Sequence, residues 1–127
     1  CDCHDFGHLL RESLCARLTE ALAEWMQKQI SNSLHVIRPA FGYPACPDHS
    51  LKKEVFRLLE AEKQIGVSLT SSYAIQPTTS LCGMLIAHPE ARYFSIGRIG
   101  KDQLASYCRK RNISETEGIR LLGSFIQ

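Results

Sequence analysis

The chain has 127 residues, 44% of them apolar and 22% charged, and 15 basic against 13 acidic residues give a formal charge of +2. This is the length of one domain and the make-up of an ordinary soluble globular protein, so residues 1–127 are read as a single domain. Scattered basic residues exclude a nucleic-acid footprint, no apolar run nears the roughly 20 residues of a membrane span, and the first twenty residues do not resemble a signal peptide. Six cysteines (Cys1, Cys3, Cys15, Cys46, Cys82, Cys108), two of them in helical patterns, are expected as reduced thiols in a cytoplasmic protein. The chain begins with Cys1 rather than methionine, as a fragment, a processed product or one part of a larger polypeptide would.

Leu10, Leu14, Leu18, Ala21, Leu22, Trp25 and Met26 recur every three or four residues and predict one long amphipathic helix over 6–30. Its polar face carries Ser13, Arg17, Glu20, Glu24, Gln27 and Lys28. Ser31-Asn32-Ser33 stops it. The run RPAFGYPACPDH (38–49) follows, and its three prolines and one glycine cannot form a helix. Each proline removes a donor and biases the residue before it towards extended backbone. A stiff, kinked ribbon results, offering backbone carbonyls, the fork of Arg38 and the ring of Tyr43. Such a ribbon suits a small ligand that carries a carboxylate and an aromatic group.

Asp48 or Ser50 caps a second helix with the stripe Leu51, Val55, Leu58, Leu59 and Ile65, stopped by Gly66. GMLIA (83–87) and RYFSI (92–96), joined by His88-Pro89-Glu90-Ala91, read as an antiparallel hairpin, with Leu69 and Ser72–Ile75 as a third strand ending at Pro77. Lys101–Arg111 returns to helix, and Ser114-Glu115-Thr116-Glu117 fits a capping box before Ile119, Leu121 and Leu122. The fold class is α+β: a small antiparallel sheet with helices packed around it, the apolar stripes of four helices forming the core.

As a whole string, the ribbon resembles the S-adenosylmethionine-binding segment of the activation (reactivation) domain of cobalamin-dependent methionine synthase. LLEAEKQIGVSLTSSYAIQPTTSLCG (58–83), HPEARYF (88–94), IGKDQLASYCRKRN (99–112) and RLTEALAEWM (17–26) are similar to segments of that domain, so the likeness covers about residues 5–122. The resemblance implies a methionine synthase activation-domain-like fold that binds S-adenosylmethionine. Its methyl group serves the reductive reactivation of methionine synthase, restoring methylcobalamin. The implied partners are the cobalamin-binding module of that enzyme, which holds the cobalamin, and a flavodoxin-like reductase.

By the same resemblance, Arg38 matches the arginine that holds the ligand carboxylate, and Ala40, Gly42 and Tyr43 match ribbon positions beside the ligand. Tyr93 and Phe94 match an aromatic pair that contacts it, and Glu20 matches a helix carboxylate near its amino group. No residue is implied to be catalytic in the acid–base sense. Family domains are more than twice this length, their upstream half supplies a further aspartate to the amino group, and the loop before the ribbon is shorter here, so the resemblance implies that residues 1–127 are either a single domain or the C-terminal part of one.

Each residue also has an ordinary structural reading. Arg38 can form a salt bridge to a helix carboxylate, and Glu20 can pair with Arg17 three residues before it. Consecutive strand residues point to opposite faces, so Tyr93 is expected to touch ligand through its ring and Phe94 through backbone. His49, at a helix start, is a capping or surface residue or a contact to the cobalamin module. Cys1-Asp2-Cys3-His4 with His8 is the one metal-like cluster, but its spacing is poor for a tetrahedral site. The alternative to a methyl-donor site is a non-catalytic docking module of the same fold that no longer binds S-adenosylmethionine.

Overall fold

A computed structural model describes residues 3–31 and 34–127, with side chains from Asp5 onward. The Cys1–His4 run and the loop residues Asn32 and Ser33 therefore lie outside the described side chains. Helix α1 (Cys3–Ile30) fills the expected range but faces the fold unexpectedly. The row Cys15, Thr19, Ala23 and Gln27, spaced by four, is the half-buried one. The Thr19 hydroxyl proton is shared between the Cys15 carbonyl one turn back at 2.7 Å and the Thr79 carbonyl at 2.9 Å, and Gln27 Nε2 donates to the Val36 carbonyl at 3.1 Å. The leucine stripe points away: Leu10, Leu14, Leu18, Leu22 and Trp25 are each more than half exposed. Loop carbonyls that need donors hold the polar row inward, so the stripe expected in the core lies on the surface.

Strand β1 (Val36–Ile37) leads into the ribbon. Asp48 caps a 3-10 turn at His49–Leu51, its Oδ1 accepting from Ser50 N at 2.7 Å, and the turn runs into α2 (Lys52–Leu59). The expected single second helix is broken at Glu60, whose φ is +47°, and resumes as α3 (Ala61–Ile65), which Gly66 stops at φ +67°. The break resets the helical phase. Lys52 and Ala61 are the buried residues of the two pieces, while Leu58, Leu59 and Ile65, expected in a core stripe, are exposed.

The expected hairpin is not formed. Strands β2 (Ser68–Leu69) and β3 (Ile75–Gln76) pair with each other, through a turn closed by Thr70 N donating to Ala74 O at 2.9 Å. Strand β4 (Ile86–Ala87), inside GMLIA, pairs antiparallel with β1 in the register Val36↔Ala87 and Ile37↔Ile86. An isolated bridge, Ala40↔Gly83, extends this pairing into the ribbon. RYFSI runs without a ladder partner. The α+β class holds, but the sheet is two short two-stranded pairs.

Helices α4 (Lys101–Arg111) and α5 (Glu115–Leu122) carry the apolar core: Leu104, Cys108 and Leu122, with Ile99, Tyr107, Ile113, Leu121 and Ile126 packed against them. The two helices meet at Gly118, where a Cβ would collide with Cys108 Sγ. Half of the expected capping box forms. Ser114 Oγ accepts from Glu117 N at 3.1 Å, but the Glu117 carboxylate turns forward to Arg120 at 2.6 and 2.8 Å instead of back to the cap. Among the described residues, no helix is long and apolar enough to cross a membrane.

Candidate functional site

The ribbon is tied along its length by two segments that the sequence pairs with each other. From residues 83–88, Met84 N donates to Pro39 O at 3.0 Å, and upstream of the ribbon His88 N donates to His35 O at 3.0 Å, at the start of the β1–β4 pairing. From residues 91–96, Ile96 N donates to Pro44 O at 3.1 Å, and the Tyr93 hydroxyl accepts from Arg38 N at 2.7 Å. Prolines leave the ribbon short of donors, so its carbonyls accept from both neighbours. That competition explains why 83–87 and 92–96 do not form a hairpin.

Between these segments and α1 lies a cavity of about 690 Å³. Its lining includes Glu20, Arg38, Ala40, Tyr43, Tyr93 and Phe94, six of the seven residues singled out from the sequence. They come from α1, the ribbon and the 91–96 segment. Gly42 is not among the lining residues. Tyr93 and Phe94 both line the cavity, in a segment that forms no strand.

Arg38 and Glu20 form an ion pair, Nη2 to Oε2, at 3.4 Å. The partner of Glu20 is thus Arg38 across the cavity wall and not Arg17. Tyr43, Tyr93 and Phe94 are 66%, 63% and 64% exposed. Aromatics of that exposure hold no core together, and their faces are free for a ligand. Met26, Ala23, Leu81, Cys82 and Leu85 complete an apolar lining that the sequence reading did not identify. The pairing of β1 with β4, which brings 81–85 to the ribbon, has no local sequence signal. Burial pushes the Cys82 thiol up, against the opposing effect of Lys52.

Behind the ribbon is a buried polar cluster. Asp48 is 2% exposed; it accepts from Ser50 N and from the Tyr107 hydroxyl, and Arg111 Nη2 stands 3.9 Å away. The same Arg111 nitrogen donates to Ser50 Oγ at 2.9 Å. Burial and the Asp48 carboxylate push the Tyr107 hydroxyl far up, so it stays a donor. Lys52, 7% exposed, donates to the Tyr73 carbonyl at 2.9 Å and meets His49 Nδ1 at 3.0 Å. The i,i+3 spacing of His49 and Lys52 is the signal that could have revealed this contact. Among the described residues, no group of three or more His, Cys, Asp or Glu is placed to hold a metal ion.

Residues 29–112 match the family described as "Vitamin B12 dependent methionine synthase, activation domain". Among solved structures, the chain is similar to the crystal structure of the MetH reactivation domain bound to AdoHcy, with 33% sequence identity and a TM-score of 0.89. The match covers 96% of this chain and 43% of that one, so the chain spans less than half the length of the relative.

Proposed function

The chain belongs to the vitamin B12-dependent methionine synthase activation domain family, and on that footing we propose that its cavity binds S-adenosylmethionine for the reductive reactivation of a cobalamin-dependent methionine synthase. The ligand supplies a sulfonium methyl group for transfer to the cobalamin held by a partner module, with electrons from a flavodoxin-like reductase. The observation that carries this reading is the convergence of Glu20, Arg38, Tyr43, Tyr93 and Phe94 on one cavity. The solved reactivation domain with bound AdoHcy supports the same ligand class.

The chemistry of the cavity fits such a ligand. Its volume of about 690 Å³ lies within the range of about 300–1,000 Å³ typical of small-molecule sites. A methionine-like end carries an ammonium and a carboxylate on one carbon, and the Glu20–Arg38 pair offers the complement of each. The exposed pair is individually weak. An arriving zwitterion therefore exchanges one modest ion pair for two, with the Arg38 fork free to take the carboxylate bidentately. Tyr93 is fixed to the same residue by its hydroxyl, which leaves its ring face for the adenine or the sulfonium charge.

The protein's part is to align the ligand and exclude water rather than to move protons. Cys82 bears on this role, because a thiolate beside a sulfonium would compete for the methyl group. Its raised pKa keeps the lining thiol protonated and a poor nucleophile. Isothermal titration of the chain with S-adenosylmethionine tests the reading: saturable one-to-one binding is expected, and no heat at millimolar ligand would overturn it.

A further inference from the structure

We propose that His49 is a positioning residue for the cavity: its ring, held by Lys52, sets the bend of the ribbon at Gly42. Gly42 has φ +91°, and a Cβ built there would collide with His49 Cε1 and Nε2. The imidazole thus occupies the space that any side chain at position 42 would fill. Beside the same Cε1 corner of the ring, His49 Nδ1 lies 3.0 Å from Lys52 Nζ, and Lys52 is anchored in turn to the Tyr73 carbonyl at 2.9 Å. The chain of contacts runs from the ribbon through one ring and one buried lysine to the β2–β3 turn.

Neither Gly42 nor His49 lines the cavity, whereas Ala40, Tyr43 and Pro44 do. The ring therefore presses on the ribbon from outside the cavity wall. The bend it supports is the turn in which Gly42 N donates to Cys46 O at 2.7 Å and Cys46 N donates to Tyr43 O at 2.8 Å. That turn aims Tyr43 and Pro44 at the cavity. A loss of the prop releases the turn and disperses the ligand-facing wall without removing any residue that touches ligand.

The geometry also fixes the protonation state. An ammonium has no acceptor, so His49 Nδ1 must be the acceptor in the contact with Lys52. A proton on Nδ1 would set two donors and two positive charges 3.0 Å apart. The groups facing His49 are Lys52 on α2 and Asp48 at the head of the turn; Asp48 is itself engaged by Tyr107 and Arg111 from α4, and Cys82 lies beside Lys52. Burial and the Lys52 charge lower the His49 pKa, and Asp48 opposes them. A depressed folded-state pKa means that the propped ribbon is fully favoured above the unfolded histidine value near 6.5 and weakens as pH falls through the folded value.

The test is a double-mutant cycle on the whole chain with two readouts. In chemical unfolding, Gly42→Ala should cost at least about tenfold more in folding equilibrium with His49 present than in a His49→Ala background, since the ring is the group its Cβ strikes. Costs that add to within about twofold would overturn the prop. In the second readout, amide-exchange protection at Gly42 and Cys46 and S-adenosylmethionine affinity should both be lost progressively as pH is lowered from about 7.5 through the folded-state value of His49. His49→Asn keeps an acceptor for Lys52 but takes no proton, so it should flatten both profiles. An unchanged pH slope in His49→Asn would overturn the proposal even if His49→Ala failed to fold. The ligand arm rests on the function proposed above, but the unfolding and exchange arms do not. Absence of S-adenosylmethionine binding by wild type would overturn that function, while the cycle still decides the role of His49.

Discussion

Around Leu104 the chain buries what its sequence marks as apolar: a leucine pair and a cysteine from α4 and α5, closed by the contact at Gly118. Around Asp48 it does the reverse. An aspartate, a serine and a lysine are buried there, while Tyr43, Tyr93 and Phe94 stand at the surface. The first region is stabilised by removing apolar area from water. The second is held by hydrogen bonds to groups that burial makes costly to leave unpaired. A cavity-bearing wall needs the second kind of construction, because its apolar and aromatic groups line the opening and are not packed into a core.

The largest expected effect is that of Asp48→Ala. It removes the acceptor of Ser50 N and the Tyr107 hydroxyl and leaves the Arg111 guanidinium half-buried without its carboxylate. Breaking a buried pair on one side costs about 3–5 kcal/mol, which denaturant unfolding would report. A loss under about 1 kcal/mol would show that this cluster contributes no more than a solvent-exposed ion pair and that the contrast with Leu104 is false.

Leu104→Ala should cost about 2–5 kcal/mol through lost burial and a cavity, a similar loss by an opposite route. Ligand titration separates the two under conditions where both variants are folded. Leu104→Ala should bind S-adenosylmethionine as wild type does, because nothing in the α4–α5 core lines the cavity. Asp48→Ala should bind more weakly, since the end of the ribbon has lost its anchor. Equal affinities would mean that the ribbon holds its shape without Asp48.

Arg38→Lys sharpens the contrast from the ligand side. An ammonium cannot reproduce the bidentate fork, and losing one charge-assisted bond of about 1.5–3 kcal/mol weakens binding roughly ten- to a hundredfold. Stability should hold, because Glu20 is more than half exposed and an ion pair at such a site contributes little. Unchanged affinity, or an unfolded variant, would make Arg38 a structural residue.

What the sequence made legible follows the same divide. Helices α4 and α5, the stop at Gly66 and the cap at Asp48 could be read from local spacing and capping chemistry alone. The cavity residues were legible by resemblance, and six of the seven meet in space. The partner of each strand was not legible. Alternating runs at 83–87 and 92–96 fit a hairpin, but the carbonyls of a proline-rich ribbon claim donors from both. The α2–α3 break at Glu60 also had no signal, since a left-handed glutamate carries none of the marks of glycine or asparagine.

Helix α1 sets the smallest expected effect and shows where periodicity misleads. Its leucines are spaced for a core, yet Leu18 is 68% exposed and Thr19, beside it, is half-buried and bonded to the Thr79 carbonyl. A stripe that the chain leaves in water contributes little to the stability of this chain. Glutamine has nearly the helix propensity of leucine, so Leu18→Gln should change unfolding free energy by no more than about 0.5 kcal/mol. Thr19→Val, on the inward row, removes the hydroxyl shared by the Cys15 and Thr79 carbonyls and should cost about 1 kcal/mol. The order of these two effects is the reverse of what hydrophobicity predicts. A loss above about 2 kcal/mol for Leu18→Gln would mean that the stripe is covered in solution, and a concentration-dependent midpoint would identify a second copy as the cover.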